Sequence, residues 1–292
     1  MSADVARAFA PGHVSGIFAV HDEAEDPLAK GSRGVGWSLD RGATATVRAA
    51  DTTTIALDGL PSEAPVTRTA LARLTAEPLH VDISLDLPGG QGFGTSAAGT
   101  LAACLAATRL LDLEPEQALE AAHIAEVTHG TGLGDAIGSW NGSGELRIKP
   151  GCPPRGWAMR IEPPAGTRFL YCILGDALPT PSIIRDPAWK ARTKAEGDAA
   201  VDRILAAGRD AAWPLLLEES AAFGHRLGLM PPALAELGAA LPEGITWGQS
   251  MLGSTLWATG PADALDDARP LLAAAGTVVE AGIDASGARL VR

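Results

Sequence analysis

The chain has 292 residues, 46% of them hydrophobic, and carries a formal net charge of −12 at pH 7. At about 150 residues per domain, this length predicts two domains, each with enough apolar residues for a core. The negative charge disfavours nucleic acids and anionic membranes as partners, because a phosphate backbone is bound by a basic surface. We see neither an apolar run that could span a membrane nor a signal-peptide pattern at the N-terminus, so we expect a cytoplasmic protein without membrane contact.

The three cysteines are scattered along the chain at Cys104, Cys152 and Cys172. They lack the C-x-x-C spacing that is typical of zinc sites, and their number and spacing do not suggest a disulfide framework. We expect three buried free thiols.

In the first part of the chain, hydrophobic periodicity predicts strands at residues 9–20, 42–47 and 80–87 and a helix at 65–76. Residues 22–36 are rich in charge and glycine and are predicted to form a long connection, which is uncommon unless it is functional or mobile. The strand at 80–87 alternates apolar and polar residues and runs directly into a glycine-rich loop.

An alanine-rich buried helix is predicted after that loop. A second predicted helix follows, and it has a proline near the start of its own first turn. A glycine-rich stretch, a short strand and two proline-rich segments follow. In chain order these are the helices 96–111 and 115–127, the stretch 129–144, the strand 145–149 and the segments 150–154 and 163–164. The prolines favour a boundary between domains at residues 1–158 and 159–292.

The second half mixes strands and helices without strict alternation, which predicts an α+β fold and not a doubly wound sheet. The predicted strands are 169–174, 255–258 and 277–282, the helices are 187–207, 211–229, 233–241 and 262–275, and residues 248–253 form a glycine-containing loop.

The glycine-rich loop, PGGQGFGTSAAGT at residues 88–100, fits three kinds of phosphate-binding loop. Residues 92–97 match the dinucleotide fingerprint, but Asp112 stands where the ribose-binding acid should end a strand, and it lies between two predicted helices. Residues 89–94 have the spacing of a P-loop that lacks its lysine. In a third scheme, Gly92 and Gly94 let phosphate approach the free N–H groups of the following helix, with Thr95 and Ser96 adding hydroxyls. A turn that only tightens strand-to-helix packing remains an alternative.

The segment PGGQGFGTSAA closely resembles the P-x-x-x-G-L-G-S-S-A-A motif of the GHMP kinase superfamily, with Phe93 and Thr95 as conservative departures. The superfamily's other two motifs are matched in order by APGH at residues 10–13 and GQSMLGS at 248–254. The resemblance implies a two-domain fold, with an N-terminal α/β domain that carries the nucleotide loop and a C-terminal ferredoxin-like α+β domain.

One departure from the superfamily pattern indicates a particular family within it: His13 stands where the superfamily usually has lysine. PGHVSGIF at residues 11–18, KGSRGVG at 30–36 and QSM at 249–251 look like the archaeal pantoate kinases. This resemblance implies ATP-dependent phosphorylation of the primary hydroxyl of (R)-pantoate to 4-phosphopantoate, in coenzyme A biosynthesis, by a homodimer.

The resemblance also implies roles for individual residues. Gly92, Gly94, Thr95, Ser96 and Ala97 would bind ATP. Ser96 would also bind Mg²⁺ together with Glu126, whose alternative is an exposed glutamate at a helix end. Asp135 matches the catalytic aspartate of related mevalonate-type kinases, and its alternative is a turn residue in a loop.

Four further residues would bind the acceptor: Ser32, His123, Arg147 and Thr180. An arginine suits a carboxylate because it offers paired donors. Arg147 could instead be a surface cation and His123 an ordinary helix histidine. His13, His21 and Arg33 are candidates without an assigned role.

Two other functions stay open. The chain could be a GHMP-type kinase for another acceptor, such as mevalonate, homoserine or shikimate, or a nucleotide-binding regulator without catalysis.

Overall fold

The computed structural model describes residues 5–175, 187–251 and 253–292. Their first sheet has eight strands: β1 (Val5–His21), β2 (Gly31–Ala49), β3 (Thr54–Leu57), β4 (Leu60–Pro61), β5 (Leu79–Leu85), β6 (Gly144–Lys149), β7 (Trp157–Ile161) and β12 (Arg289–Leu290). The strand order is β12-β1-β2-β5-β3-β4, and all pairs are antiparallel except β3 with β5. The long strand β2 pairs with β5 along its second half and with β6 along its first half, and β6 pairs with β7.

Four helices accompany this sheet: α1 (Pro65–Leu74), α2 (Thr95–Leu111), α3 (Glu116–His129) and α4 (Asp135–Asn141). Helices α2 and α4 pack on its strands, and α1 and α3 pack on α2. The alanine-rich helix α2 is buried along most of its length between β1, β2 and the helices α1 and α3. Small side chains let its backbone approach these neighbours closely, which fixes the position of its N-terminus.

The second sheet has the strands β8 (Arg168–Ile173), β9 (Thr246–Gln249), β10 (Thr255–Thr259) and β11 (Thr277–Gly282). They form an antiparallel sheet in the order β11-β8-β10-β9. Its helices are α5 (Pro187–Ala207), α6 (Ala212–Leu227), α7 (Pro232–Ala239) and α8 (Ala262–Ala275), with a 3₁₀ turn at Arg209–Ala211. Residues of α7 and α8 share one core cluster with β8 and β10, whereas α5 and α6 share another with β1 and the aromatic residues of β8.

Aromatic side chains join the two sheets. Trp37 of β2 stacks on Phe169 of β8 with ring centroids 5.0 Å apart, and its Nε1 donates a hydrogen bond of 2.8 Å to Tyr171 Oη. Trp257 of β10 meets Trp37 edge-on at 5.2 Å. A buried tryptophan needs a partner for its N–H, so this pair fixes one sheet against the other.

The α+β fold with two sheets confirms the predicted fold class, and the main predicted strands and helices are present. Residues 112–115, between α2 and α3, form no strand, which removes the dinucleotide interpretation of the loop. The three cysteines are buried free thiols, as expected. None of the helices in the described part of the chain has the length and apolar character needed to cross a membrane.

The predicted connection at residues 22–36 was too long, because β2 begins at Gly31. The glycines of this strand are positions of close approach and not a flexible loop. A Cβ on Gly34 would overlap Ile17 O, and one on Gly36 would overlap the His13 ring. Glycine inside a strand often marks such an approach.

The glycine-rich stretch at 129–144 was also misjudged, since it contains helix α4. Gly138 lies inside this helix because its missing side chain makes room for His13. The short strands β3, β4, β7, β9 and β12 were not predicted either, and β9 extends two residues into the loop predicted at 248–253. The predicted division between residues 158 and 159 falls within β7 and stays a prediction.

Candidate active site

Three chain segments meet at the start of α2: the bulged middle of β1, the glycine loop and the segment before β10. His13 N donates to Phe93 O at 2.8 Å, and Met251 N donates to Ser15 O at 3.1 Å. Strand β1 changes register between Pro11 and His13 and again between Ser15 and Ile17. Bulges of this kind re-aim side chains and are common beside active sites.

The glycine loop has the backbone that its sequence predicts. Gly92 and Gly94 have φ values of 81° and 60°, in the left-handed region that favours glycine. A Cβ on Gly92 would lie 2.9 Å from the Ser250 Cβ, so the loop packs directly on the third segment. Phe93 is buried and meets Tyr171 edge-on at 5.2 Å, which anchors the loop to the second sheet.

Helix α2 begins at Thr95, immediately after the loop. The first helical bond runs from Ala98 N to Gly94 O at 2.9 Å, so the N–H groups of Thr95, Ser96 and Ala97 have no partner within the helix. Such a terminus suits an anion. The side chains of Thr95 and Ala97 are buried, so these two residues would contribute backbone donors, whereas Ser96 is exposed.

Ser96 and Glu126 lie in contact, as the predicted metal site requires. Ser96 Oγ donates to Glu126 Oε1 at 2.8 Å, and the Glu126 side chain is buried, so it is not an exposed helix-end glutamate. The pKa of Glu126 is raised to about 7: burial raises it most and the nearby Asp135 carboxylate adds to the rise, while hydrogen bonds from Ser96 and Thr131 oppose it. A Cβ on Gly132 would overlap Glu126 Oε2 and lie 3.3 Å from Asp135 Oδ2, so this glycine separates two carboxylates.

Asp135 is the first residue of α4 and not a loop residue, which corrects the predicted setting but keeps the side chain in the site. Its Oδ1 accepts hydrogen bonds from His13 Nδ1 at 2.8 Å and from Ser15 Oγ at 3.3 Å. About 24% of the side chain is exposed. Gly94 lies against it, since a Cβ there would be 3.3 Å from the Asp135 Cβ.

The electrostatic setting keeps Asp135 ionised. Burial by itself would raise the pKa of Asp135, but the hydrogen bond from His13 and the charges of His13 and Arg147 outweigh burial and lower it. His13 is fully buried, and burial by itself would lower its pKa, but Glu145 and Asp135 together raise it. Each of the two side chains therefore favours the charged form of the other.

Arg147 and Ser32 lie together behind Gly134, next to Asp135. A Cβ on Gly134 would be 2.5 Å from Arg147 Nε and 2.8 Å from Ser32 Oγ. Arg147 is buried and pairs with Glu145 on the same face of β6, so it is not a surface cation. Ser32 Oγ donates to Leu133 O at 3.3 Å.

The other candidates make no direct contact with these groups in the described residues or lie outside them. His123 is buried, burial lowers its pKa, and its Nε2 is 3.0 Å from Lys30 O, so it fastens the start of β2 to α3. Its role in acceptor binding stays a prediction. Thr180 lies outside the described residues. His21 and Arg33 both contact Asp198 and link β1 and β2 to α5.

Glu145 and Ser15 were not foreseen, and His13 had no assigned role. The sequence GELRIK does contain a signal, because Glu145 and Arg147 are two residues apart and so share one face of a strand. That spacing indicates a charged pair on one side of β6, but it does not reveal which residues the pair faces.

The fold and this arrangement define the class of protein. A family model described as the N-terminal domain of GHMP kinases matches residues 64–143, which run from the start of α1 to the end of α4. The mevalonate diphosphate decarboxylase from Staphylococcus aureus has the same fold, with a TM-score of 0.76 at 13% identity over 99% of this chain and 98% of that one. The chain is a GHMP-type, ATP-dependent small-molecule kinase.

Proteins with similar sequences indicate which family of these kinases the chain belongs to. A pantoate kinase from Thermococcus kodakarensis is 31% identical over 281 residues, 91% of each chain, and one from Methanocaldococcus jannaschii is 26% identical over 90% of this chain and 96% of that one. A solved structure described as a phosphotransferase related to the CoA biosynthesis pathway has a TM-score of 0.87 at 28% identity, covering 99% of both chains. The chain belongs to the pantoate kinase family.

Proposed function

We propose that this chain transfers the γ-phosphoryl group of ATP to the primary hydroxyl of (R)-pantoate, giving 4-phosphopantoate for coenzyme A biosynthesis. The names of its relatives support this substrate, since the similarity extends over most of the chain. The single observation that carries the proposal in the structure is the position of Asp135. It lies between the glycine loop on one side and the buried Arg147 and Ser32 on the other.

Asp135 is the catalytic residue of this proposal. Its carboxylate is partly exposed beside Gly94, where it can accept a hydrogen bond from an acceptor hydroxyl. Its lowered pKa makes it a weak base. Phosphoryl transfer has a loose transition state that asks little of the nucleophile, so Asp135 orients the hydroxyl and takes its proton late.

The acceptor side of the cleft suits a carboxylate. Arg147 supplies a permanent positive charge behind Gly134, and Ser32 supplies a hydroxyl at the same place. Arg147 Nε has no hydrogen-bond partner among the described residues. An acceptor with a carboxylate at one end and a primary hydroxyl at the other could place its carboxylate near Arg147 and Ser32 and its hydroxyl near Asp135. In this proposal His123 and Thr180 complete the acceptor site.

The nucleotide side is assigned to the glycine loop and to the first turn of α2. Gly92 and Gly94 allow close backbone approach, and the N–H groups of Thr95, Ser96 and Ala97 donate to phosphate oxygens. These donors are sequence-independent backbone groups, which explains how the loop dispenses with the lysine of a P-loop.

Ser96 and Glu126 fit a magnesium ion. Both present oxygen atoms, and Mg²⁺ is commonly held by one or two protein oxygens together with phosphates and water. The described residues that influence the pKa of Glu126 include no cation, so its buried charge lacks a counter-ion. Mg²⁺ would supply that charge and neutralise the phosphates of ATP.

An acceptor panel tests the proposal. Purified protein, ATP and Mg²⁺ are mixed with pantoate, mevalonate, homoserine or shikimate, and ADP release is followed with a coupled assay. We expect stimulation by pantoate and formation of the 4-phosphate by ³¹P NMR, with neither in the Asp135→Asn variant. Stimulation by another acceptor alone would reassign the substrate within the same class.

A nucleotide-binding regulator is the alternative from another class. It predicts that ATP binds in calorimetry while no acceptor gives product. The homodimer and the cytoplasmic location expected from the sequence also remain predictions, and light scattering of the purified protein checks the first.

A further inference from the structure

We propose that Glu145 is a positioning residue that holds His13 as a cation against Asp135 and at the same time fixes the guanidinium of Arg147. The charge arrangement is argued from the structure alone, and its catalytic consequence rests on the proposed function. Glu145 would thus connect the residue that orients the acceptor hydroxyl with the residue that meets the acceptor carboxylate.

Glu145 lies at the centre of four buried or partly buried charges. Its Oε1 is 3.1 Å from His13 Nε2, and the same atom forms an ion pair with Arg147 Nη1. The opposite side of the His13 ring contacts Asp135 through Nδ1 at 2.8 Å. Asp135, His13, Glu145 and Arg147 are therefore linked by consecutive contacts between oppositely charged groups, which we call the charge row.

The charge row is electrically balanced only when His13 is protonated. Two carboxylates then face two cations, and removing the imidazolium proton would leave one buried negative charge without a partner. An unpaired buried charge is strongly unfavourable, so the charge row favours the charged histidine. Burial by itself would raise the pKa of Glu145, but the charges of Arg147 and His13 lower it and keep it ionised.

The other described residues around the His13 ring include two glycines that leave room for it. Its ring is enclosed by Gly36 of β2 and Gly138 of α4, at which any Cβ would overlap the ring. Gly94 covers the His13 backbone and Cβ from the nucleotide loop. Among the described residues, the titratable groups that face the imidazole are Asp135 from α4 and Glu145 from β6, and Arg147 of β6 lies on the far side of Glu145 as its partner.

The orientation of these groups depends on Glu145. His13 Nε2 meets Glu145 at ion-pair distance without the alignment of a hydrogen bond, and Arg147 Nη2 reaches only long contacts of 3.4 Å to Ile17 O and 3.5 Å to Ser15 Oγ. Since the guanidinium has no stronger partner among the described residues, the carboxylate of Glu145 is what fixes its position.

The first test follows the protonation of His13 directly. In ¹⁵N-labelled protein, the imidazole signals of His13 are identified by their loss in His13→Gln, and their pH titration is compared between the wild type and Glu145→Gln. We expect the wild-type ring to remain protonated above pH 7 and its titration in Glu145→Gln to move to lower pH by about one unit or more, because a facing charge shifts a pKa by about 1–3 units. Glu162→Gln is the matched control, since Glu162 is an exposed residue of the neighbouring segment.

The second test separates charge from shape. Glu145→Gln keeps the shape and removes the charge, whereas Glu145→Asp keeps the charge and shortens the side chain. We expect the alkaline fall in kcat to move to lower pH in Glu145→Gln, with about a tenfold lower kcat at pH 8 and a higher KM for the acceptor, and to return towards the wild-type profile in Glu145→Asp.

Two results would overturn the inference: a His13 titration that Glu145→Gln leaves unchanged, or a wild-type His13 that is already neutral at pH 6. A larger effect of Glu145→Asp than of Glu145→Gln would assign Glu145 a packing role instead. The titration needs no substrate. A chain that turns over no acceptor but shows the shifted titration would therefore refute the proposed function and leave the charge arrangement intact.

Discussion

Replacing Glu126 with glutamine should stabilise the fold at alkaline pH while it removes the carboxylate proposed to bind Mg²⁺. The carboxylate is buried, and burial raises its pKa from the ordinary 4.5 to about 7. A group whose pKa is higher in the folded chain favours folding at pH values below 4.5, and this contribution is lost as pH rises through 7. The amide of glutamine carries no charge and still accepts the hydrogen bond from Ser96.

The magnitude follows from the interval between the two pKa values. About 2.5 units at about 1.4 kcal/mol per unit correspond to about 3 kcal/mol once pH 8 is reached. We therefore expect Glu126→Gln to raise the free energy of unfolding by about 3 kcal/mol at pH 8, by about 2.5 kcal/mol at pH 6.5 and by about 1 kcal/mol at pH 5.

Urea unfolding followed by circular dichroism at these three pH values measures the difference. Glu162→Gln is the control, because a hydrogen bond from Arg160 lowers the pKa of this exposed carboxyl and its loss should not stabilise the protein. An equal gain in the free energy of unfolding at pH 5 and pH 8, or no gain at pH 8, would refute the inference that Glu126 is buried without a counter-ion. Mg²⁺ with a non-hydrolysable ATP analogue should stabilise the wild type more than Glu126→Gln, because only the wild type keeps the carboxylate ligand.

Three further substitutions test other parts of the site. Asp135→Asn should leave ATP binding by calorimetry largely intact and lower kcat by about 100-fold or more, and unaltered turnover would remove Asp135 from the mechanism. Gly132→Ala places a methyl group on Glu126 Oε2, so the KM for Mg·ATP should rise while the KM for the acceptor changes little; equal changes in both would point to general disorder. Phe93→Ala removes the ring that packs on Tyr171, which should lower the free energy of unfolding by about 3 kcal/mol and raise the KM for ATP. An unchanged KM would show that this ring contact does not contribute to nucleotide binding.

The nucleotide side of the site could be predicted because its information is local. A strand, glycines with positive φ and a buried helix follow one another within residues 80–111, and each signal acts over a few neighbouring positions. The pairing of Ser96 with Glu126 was reached through the family resemblance, since thirty positions of chain separate the two.

The candidate residues of the acceptor side came from the family resemblance, and the contacts around them could not be predicted because they depend on close approach between distant strands and helices. Gly36 and Gly138 were interpreted as loop residues, yet each is a glycine because the His13 ring occupies the space of its side chain. Because the segments around these two glycines are rich in glycine, their composition indicated loops, and neither the start of β2 nor the helix α4 was predicted. Glu145 faces His13 across 132 positions of sequence, and no periodicity reports such a contact.

The charges of the site are divided between its two sides in different ways. On the proposed acceptor side, Asp135 and Glu145 contact His13 and Arg147 within the protein, so these side chains are oriented before any ligand binds. On the nucleotide side, Glu126 is buried without a cation among the groups that influence it, and the Asp135 carboxylate makes its ionisation more costly still. A positive charge brought by a ligand would therefore gain most at Glu126. This asymmetry favours nucleotide binding that depends strongly on a divalent cation, and acceptor binding that depends on it little.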